Sequence, residues 1–269
     1  MSKILVSVNS RESLEEVLNK DIDGIILYID KLSVNSSFYL NIEELKDIKT
    51  TKEVFVCINK LMHNDDLDEL RRVMNILKDR EERILFYDMA VYRIASELGM
   101  KDRLVIYQDH LNASILSNQF YYDLGIRGSF ITNDITGEEL LEIKRNSKMD
   151  IFFLGYGYQP IFYSRRYLVK NYLKYIEENS GNEYNIISDN GVEYPIKEEE
   201  FGTTIYSPGV INLVNYMDML DEIDYIVLNE EKTEHDKFME VIDKFIKREK
   251  TQEDTYLGFF KVKTIYKVK

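Results

Sequence analysis

Eight short apolar runs, each followed by a segment with helical spacing, constrain this chain more than any other feature. They are Lys3–Val8, Gly24–Ile29, Glu53–Ile58, Arg83–Tyr87, Arg103–Tyr107, Gly128–Ile131, Ile151–Leu154 and Asp224–Leu228. Continuous apolar strands that alternate with amphipathic helices belong to parallel sheets covered on both faces. The intervening helices have recognisable starts. Asn64 precedes a stripe of Leu67, Leu70, Met74 and Leu77, and Thr136 with Glu139 has the spacing of a capping box. Thr233 precedes a helix that would bury Phe238, Ile242, Phe245 and Ile246. This pattern predicts an α/β fold, a (β/α)8 TIM-type barrel with some irregular units, as one domain over residues 1–269. An open dinucleotide-binding sheet fits less well, because Asn9-Ser10-Arg11 stands where its glycine fingerprint would be. One segment breaks the rhythm. Around 184–207, Asp189-Asn190-Gly191 forms a turn between alternating residues, which predicts a β-hairpin inserted outside the regular units.

Charge and cysteine content narrow the function classes. With 35 basic and 48 acidic residues the chain carries a net charge of −13, which disfavours broad binding to nucleic acid. The basic tail Lys261–Lys269 alternates with apolar residues and reads as an edge strand guarded by lysines. A single cysteine, Cys57, lies in an apolar run, so neither a disulfide framework nor a cysteine metal site is available. His63, His110 and His235 share no ligand spacing, so no metal is expected in this chain. No secretory leader or membrane-length apolar stretch is visible, which predicts a cytoplasmic protein with no membrane contact.

Barrel chemistry sits at the carboxyl ends of the strands. The residues just past the strands form a polar ring of Asn9, Asp30, Asn59, Asp88, Gln108, Asn133, Tyr156 and Asn229. Amides and aspartates also serve as turn and cap residues, so both readings stand for each of them. No nucleophile lies beside a base at a recognisable spacing, and the catalytic residues are unknown. The segment Ile151–Tyr172 carries the sharpest binding signal. Ser164 reads as a helix N-cap followed by Arg165 and Arg166, cations placed where the helix dipole prefers an anion. Either the two arginines answer acidic neighbours, or they help the helix terminus to hold a carboxylate or phosphate. In the second case Tyr156, Tyr158 and Tyr163 would wall the pocket, and Gln108 and Asn118 would add hydrogen bonds from strand five.

The run FFLGYGYQPIFYSRRYLVKNY resembles the signature region of the U32 peptidase (collagenase-like) family, in its short, cysteine-poor branch. Further matching pieces lie in the right order along the chain: VFVCIN, LVIYQDHLNASILSN and LGIRGSFITNDITGEEL before that run, FGTTIYSP and TYLGFFKVKTIYKVK after it. The resemblance implies a barrel and a peptidase label without a unifying nucleophile or metal motif. It also implies kinship with proteins that hydroxylate the wobble uridine of tRNA in a prephenate-dependent manner. Long members of that group hold an iron–sulfur cluster on four cysteines. Their histidine position falls here near Gly155 and their cysteine positions near Gln159 and Arg166, so this chain cannot bind such a cluster alone. The strand-five and last-strand motifs of long members are likewise replaced, by Tyr107 to Leu111 and by Ile226 to Glu230. The resemblance therefore points to a cluster-free partner subunit of a longer, cysteine-containing paralogue, which would supply the cluster and the tRNA contact. A small dicarboxylate such as prephenate is the expected ligand. An independent U32-type peptidase (hydrolase) and a small-anion-binding barrel are the alternatives.

Overall fold

The structure is a computed structural model that describes residues 1–108, 111–178, 184–253 and 255–262. His110 and, from residue 263 on, the basic tail lie outside the described residues. Eight parallel strands close into a barrel. In chain order the first units are β1 (Lys3–Ser7), α1 (Arg11–Leu18), β2 (Gly24–Ile29), the short β3 (Tyr39–Leu40), β4 (Glu53–Ile58) and α2 (Leu67–Lys78). There follow β5 (Arg83–Phe86), α3 (Met89–Leu98), β6 (Leu104–Ile106), α4 (Ile115–Asp123), β7 (Gly128–Ile131), α5 (Gly137–Asn146) and β8 (Asp150–Gly157). An insertion of β9 (Pro160–Ser164), α6 (Leu168–Tyr175), β10 (Tyr184–Ile187), β11 (Glu193–Glu199) and β12 (Gly202–Tyr206) interrupts the rhythm. The chain then completes β13 (Ile211–Asn212), α7 (Met217–Leu220), β14 (Tyr225–Asn229) and α8 (His235–Lys247). Closure is explicit in the pairing, because β1 is parallel to both β2 and β14. The barrel of the sequence reading is present, with its strands within a few residues of the expected bounds.

Local signals behave as their chemistry dictates. The capping box closes as expected: Thr136 Oγ1 accepts the Glu139 N–H at 3.2 Å, and Glu139 Oε2 accepts the Thr136 N–H at 2.8 Å. The α2 helix buries Leu70, Val73, Met74 and Leu77, and α8 buries Phe238, Met239, Val241, Ile242 and Phe245. After β2 no α-helix forms; a short 3₁₀ helix at Ile42–Asp47, which buries Ile42 and Leu45, stands in the connection to β4 instead.

Aromatic packing fills the barrel at the amino ends of the strands. Phe152 stacks on Tyr225 at 4.3 Å between ring centroids, and Phe55 meets both edge-on. The Arg83 guanidinium lies over all three rings, and its Nη1 pairs with Asp150 at 2.8 Å. The rings fill the barrel axis at this end and leave a cleft of about 350 Å³ beside them, lined by Glu53, Phe55, Glu82 and Arg83 among others; barrel ligands bind at the opposite end, where the strands finish.

The insertion is larger than a hairpin. Strands β10, β11, β12 and β9 form a four-stranded antiparallel sheet. Its outermost pair places Ser164 opposite Thr203 and Tyr163 opposite Thr204. The β10–β11 turn does fall at Asp189-Asn190-Gly191, with Gly191 in the left-handed region (φ 80°). The additional strand, β9, occupies residues expected to lie in a loop and a helix cap. That strand brings the sheet directly out of β8 and over the barrel mouth.

Candidate functional site at the covered barrel mouth

The antiparallel sheet reaches the loops after β2, β4, β7 and β14. Thr204 Oγ1 donates to Asn35 Oδ1 at 2.5 Å, and Lys197 Nζ donates to the Ser36 carbonyl at 2.8 Å. Asn35 is in the left-handed region (φ 66°), a conformation asparagine tolerates better than most residues. Gln159 Nε2 donates to Thr132 Oγ1 at 3.3 Å past β7. Arg165 pairs with Asp66 Oδ2 at 2.5 Å and donates to the Leu61 carbonyl at 2.8 Å, past β4. Asp66 also accepts from Lys60 Nζ at 2.9 Å, and Lys60 lies 4.0 Å from the Phe201 ring centroid. Burial pushes the Asp66 carboxyl up, but hydrogen bonds from the His63 N–H, Lys60 and Arg165 outweigh it and hold the pKa at about 2.

Beneath the sheet lies a polar nest. Lys197 Nζ is 2.8 Å from Glu231 Oε1 and 3.4 Å from Glu199 Oε1. Tyr39 donates its phenol proton to Glu199 Oε2 at 2.6 Å, and Ser37 donates to Glu231 Oε1 at 3.1 Å. Tyr206 is buried beside this group, and its hydroxyl, like Glu231 Oε2, has no hydrogen-bond partner among the described residues. Burial, reinforced by the nearby Glu231 and Glu199 charges, raises the Tyr206 phenol well above its ordinary range. Burial and the Glu199 charge do the same to Tyr39. Next to the nest is a cleft of about 870 Å³ lined by Asn9, Ser37, Tyr158, Lys197, Glu231 and Lys232, among others. Lys232 takes a left-handed backbone (φ 62°) three residues past the end of the last barrel strand, with its Nζ 5.8 Å from the Tyr206 ring centroid. It makes no ion pair among the described residues. The nest joins two carboxylates, two phenols and two ammonium groups at the end of the barrel where barrel ligands bind.

The expected anion site is differently built. Ser164 ends β9 rather than capping a helix, and α6 begins at Leu168. Its free N–H groups are met by a distant side chain: Glu198 Oε2 accepts from Val169 at 2.8 Å and Oε1 from Lys170 at 3.0 Å. Thr203 Oγ1 accepts from Leu168 at 3.0 Å. A carboxylate of the chain itself therefore occupies the anion-favouring helix end. Among the described residues Ser164 Oγ accepts only the Arg166 N–H, at 3.3 Å. Arg165 answers an acidic neighbour, and Arg166 is exposed.

The remaining candidates divide between structure and cleft. Asn59 clamps the Val34 backbone, accepting at 2.8 Å and donating at 3.1 Å. Asp88 caps α3 through the Ala90 N–H at 2.8 Å and accepts from Met62 at 3.0 Å. Asn118 lies on α4 rather than on strand five, where it donates to the Ser114 carbonyl at 2.8 Å. Gln108 accepts from Tyr121 at 3.0 Å. Asn133 donates to the Leu154 carbonyl at 3.0 Å, which leaves its buried Oδ1 unpartnered among the described residues. Tyr156 packs at 5.9 Å on Phe238 of α8, with burial pushing its pKa up to about 12. Tyr163 donates to the Phe201 carbonyl at 2.9 Å. Of the three tyrosines only Tyr158 lines the mouth cleft, 6.4 Å from Tyr206. Sequence reasoning missed Lys197, Glu199, Tyr206, Glu231 and Lys232. A usable signal was the charged run Glu230-Glu231-Lys232 immediately behind the apolar stretch Tyr225–Leu228 and Asn229.

One arrangement has the residue types of a catalytic triad but lacks its geometry. Ser13 Oγ and Glu230 Oε1 both lie 3.0 Å from His235 Nδ1, whereas a working triad uses opposite ring nitrogens. Ser13 is also fully buried. Among the described residues no group of three His, Cys, Asp or Glu side chains could hold a metal, and no helix is long and apolar enough to cross a membrane.

Fold and site together define a TIM-type barrel whose mouth is roofed by an inserted antiparallel sheet. Its sequence matches the family model for peptidase family U32 over residues 9–254, and the chain belongs to that family. It is also 25% identical over 181 residues to tRNA hydroxylation protein P2 of Bacillus subtilis (strain 168). That match spans 64% of this chain and 59% of the relative, somewhat less than two thirds of its length.

Proposed function

We propose that this protein is a cluster-free subunit of a tRNA wobble-uridine 5-hydroxylation system, working with a longer, cysteine-containing U32 paralogue. The carrying observation is the likeness to a tRNA hydroxylation protein in a chain whose donor set does not fit an iron–sulfur cluster. Its one thiol, Cys57, is buried in β4, and Gln159 is buried and hydrogen-bonded at the mouth instead of offering a thiolate. The paralogue would supply the cluster, and no step is assigned to it in this chain. A small dicarboxylate such as prephenate would sit in the mouth cleft. There Lys232 offers an ammonium free of ion pairs among the described residues, whereas Arg165 is committed to Asp66.

The test is reconstitution. The tagged chain is mixed with a longer paralogue from the same genome, and wobble-position nucleosides are quantified by mass spectrometry after incubation with unmodified tRNA and prephenate. The reading expects a stable complex and hydroxylation that needs both chains. Full hydroxylation by the longer protein alone, with no complex formed, would overturn it.

A further inference from the structure

The sequence around α6 reverses the charge of the chain. Residues 163–175, YSRRYLVKNYLKY, contain four cations, four tyrosines and no acid, in a protein of net charge −13. Arg165 is consumed by Asp66, but the other three cations are not. Arg166, Lys170 and Lys174 are exposed and make no ion pair among the described residues. Among the described arginines, Arg166 alone donates its guanidinium to neither a carboxylate nor a carbonyl. Every other described arginine donates to a carboxylate or a carbonyl, as Arg72 does to Glu69, Arg103 to Glu82 and Arg145 to Glu222. Glu198 is spent on the backbone of α6 itself, and Glu177 and Glu178, which follow the helix, make no ion pair with these cations among the described residues.

Aromatic surface accompanies the charge. Tyr175 is 84% exposed, Tyr172 61% and Tyr167 41%, while Leu173 is the one residue of α6 that is buried. Exposed rings interleaved with unpaired cations form the surface on which RNA loops are held: phosphates by Lys and Arg, unstacked bases by flat rings. We infer that the outer face of α6, through Arg166, Lys170, Lys174 and Tyr175, is an RNA-docking surface that binds tRNA directly, in place of the expectation that tRNA is contacted through the paralogue alone. The choice of tRNA rests on the function proposed above; the surface itself rests on charge and exposure. Beside it, α6 and the sheet leave an apolar groove of about 530 Å³ lined by Leu168, Tyr172, Ile176, Ile186 and Ile196, among others. A protein occupant of that groove is the competing outcome.

The experiment measures fluorescence anisotropy of a labelled in vitro tRNA transcript titrated with the full chain across a salt series. The wild type should bind saturably, more weakly as salt rises. The triple variant Arg166→Gln, Lys170→Gln, Lys174→Gln should bind at least about tenfold more weakly and lose roughly 2 from the log–log salt slope, since each phosphate contact contributes about 0.7–0.9. Tyr175→Ala should weaken binding about fivefold or more while leaving the slope unchanged. A control lacking three exposed cations elsewhere, Lys46→Gln, Lys49→Gln, Lys78→Gln, should bind as the wild type does. No binding by the wild type, undiminished binding by the triple variant, or an equal loss in the control would overturn the proposal. Paralogue capture is read separately with the same variants. Loss of capture with RNA binding unchanged would assign the face to a protein. RNA binding through α6 with no paralogue capture would sink the subunit reading alone.

Discussion

Asp66 fastens the inserted sheet to the barrel by joining Lys60 on one oxygen to Arg165 on the other, at 2.9 Å and 2.5 Å. All three side chains are mostly buried, so the carboxylate is shielded from solvent screening. Asp66→Asn should destabilise the protein by roughly 2–4 kcal/mol, because it leaves two cations without their partner. The pH dependence follows from the lowered pKa. The Asp66 contribution is complete above the ordinary carboxylate value near 3.8, and is lost as the pH falls from there through about 2. Denaturant melts of the variant and the wild type across that window check both statements; parallel curves would refute the linkage.

Gly202 tests whether the sheet depends on its β11–β12 turn. Its φ is +134°, and a Cβ there would collide with the Ser164 carbonyl oxygen across the β9–β12 pair. Gly202→Ala should cost about 1–3 kcal/mol, with the damage concentrated in the inserted sheet. Hydrogen exchange should show faster exchange in β9 and β12 while the barrel strands keep their protection. A uniform change over the whole chain would contradict the turn-specific effect.

These two positions mark where the sequence stops being readable. Barrel strands were legible because each is a local apolar run bounded by polar residues, and the Thr136–Glu139 box because its partners are three residues apart. Strand β9 was not. Its hydrogen bonds go to Thr203 and Thr204, about forty positions along the chain, and its residues Ile161, Phe162 and Tyr163 carry no strict alternation. The start of α6 was misplaced for the same reason, since its cap is Glu198 and no local Ser or Asn. At the mouth, Asn59 and Asp88 were visible as polar residues behind strands, but their roles are backbone clamps and caps. Lys197, Glu199 and Tyr206 meet Glu231 only once the insertion folds back over the barrel.

Phe152 anchors the opposite end of the barrel, between Phe55 and Tyr225. Phe152→Ala should cost about 3–5 kcal/mol, the range for truncating a fully buried ring. It would also remove one of the three rings beneath the Arg83 guanidinium. Because the mouth is at the other end, tRNA and paralogue binding by the folded variant should be unchanged at temperatures well below its melting point. A change in either would show that the two ends of the barrel are coupled.

Proteolysis is expected to be absent. The purified chain should not cleave casein or collagen measurably, since Ser13 is fully buried and shares His235 Nδ1 with Glu230. Cleavage that disappears in Ser13→Ala would restore the peptidase reading.

His235 carries the last expected outcome. Its Nδ1 lies 3.0 Å from the buried Glu230 and its Nε2 3.2 Å from Glu16, so the ring joins the start of α8 to α1 and the loop after β14. The hydrogen bond to Glu230 is the main cause of its raised pKa; Glu16 adds to it, and desolvation works in the opposite direction. Ser13, the other group on Nδ1, is uncharged, so the charged groups facing the ring are these two carboxylates. A histidine whose folded pKa exceeds its unfolded value stabilises fully below about 6.5, and this contribution fades as the pH rises through the folded value. The wild type should therefore lose melting temperature relative to His235→Gln as the pH rises above about 6.5, and the variant's profile should be flatter over the same rise. Glu16→Gln should remove the smaller part of the difference, because Glu16 is exposed and screened while Glu230 is fully buried. Identical slopes for wild type and His235→Gln would show that the imidazole does not gain its proton on folding.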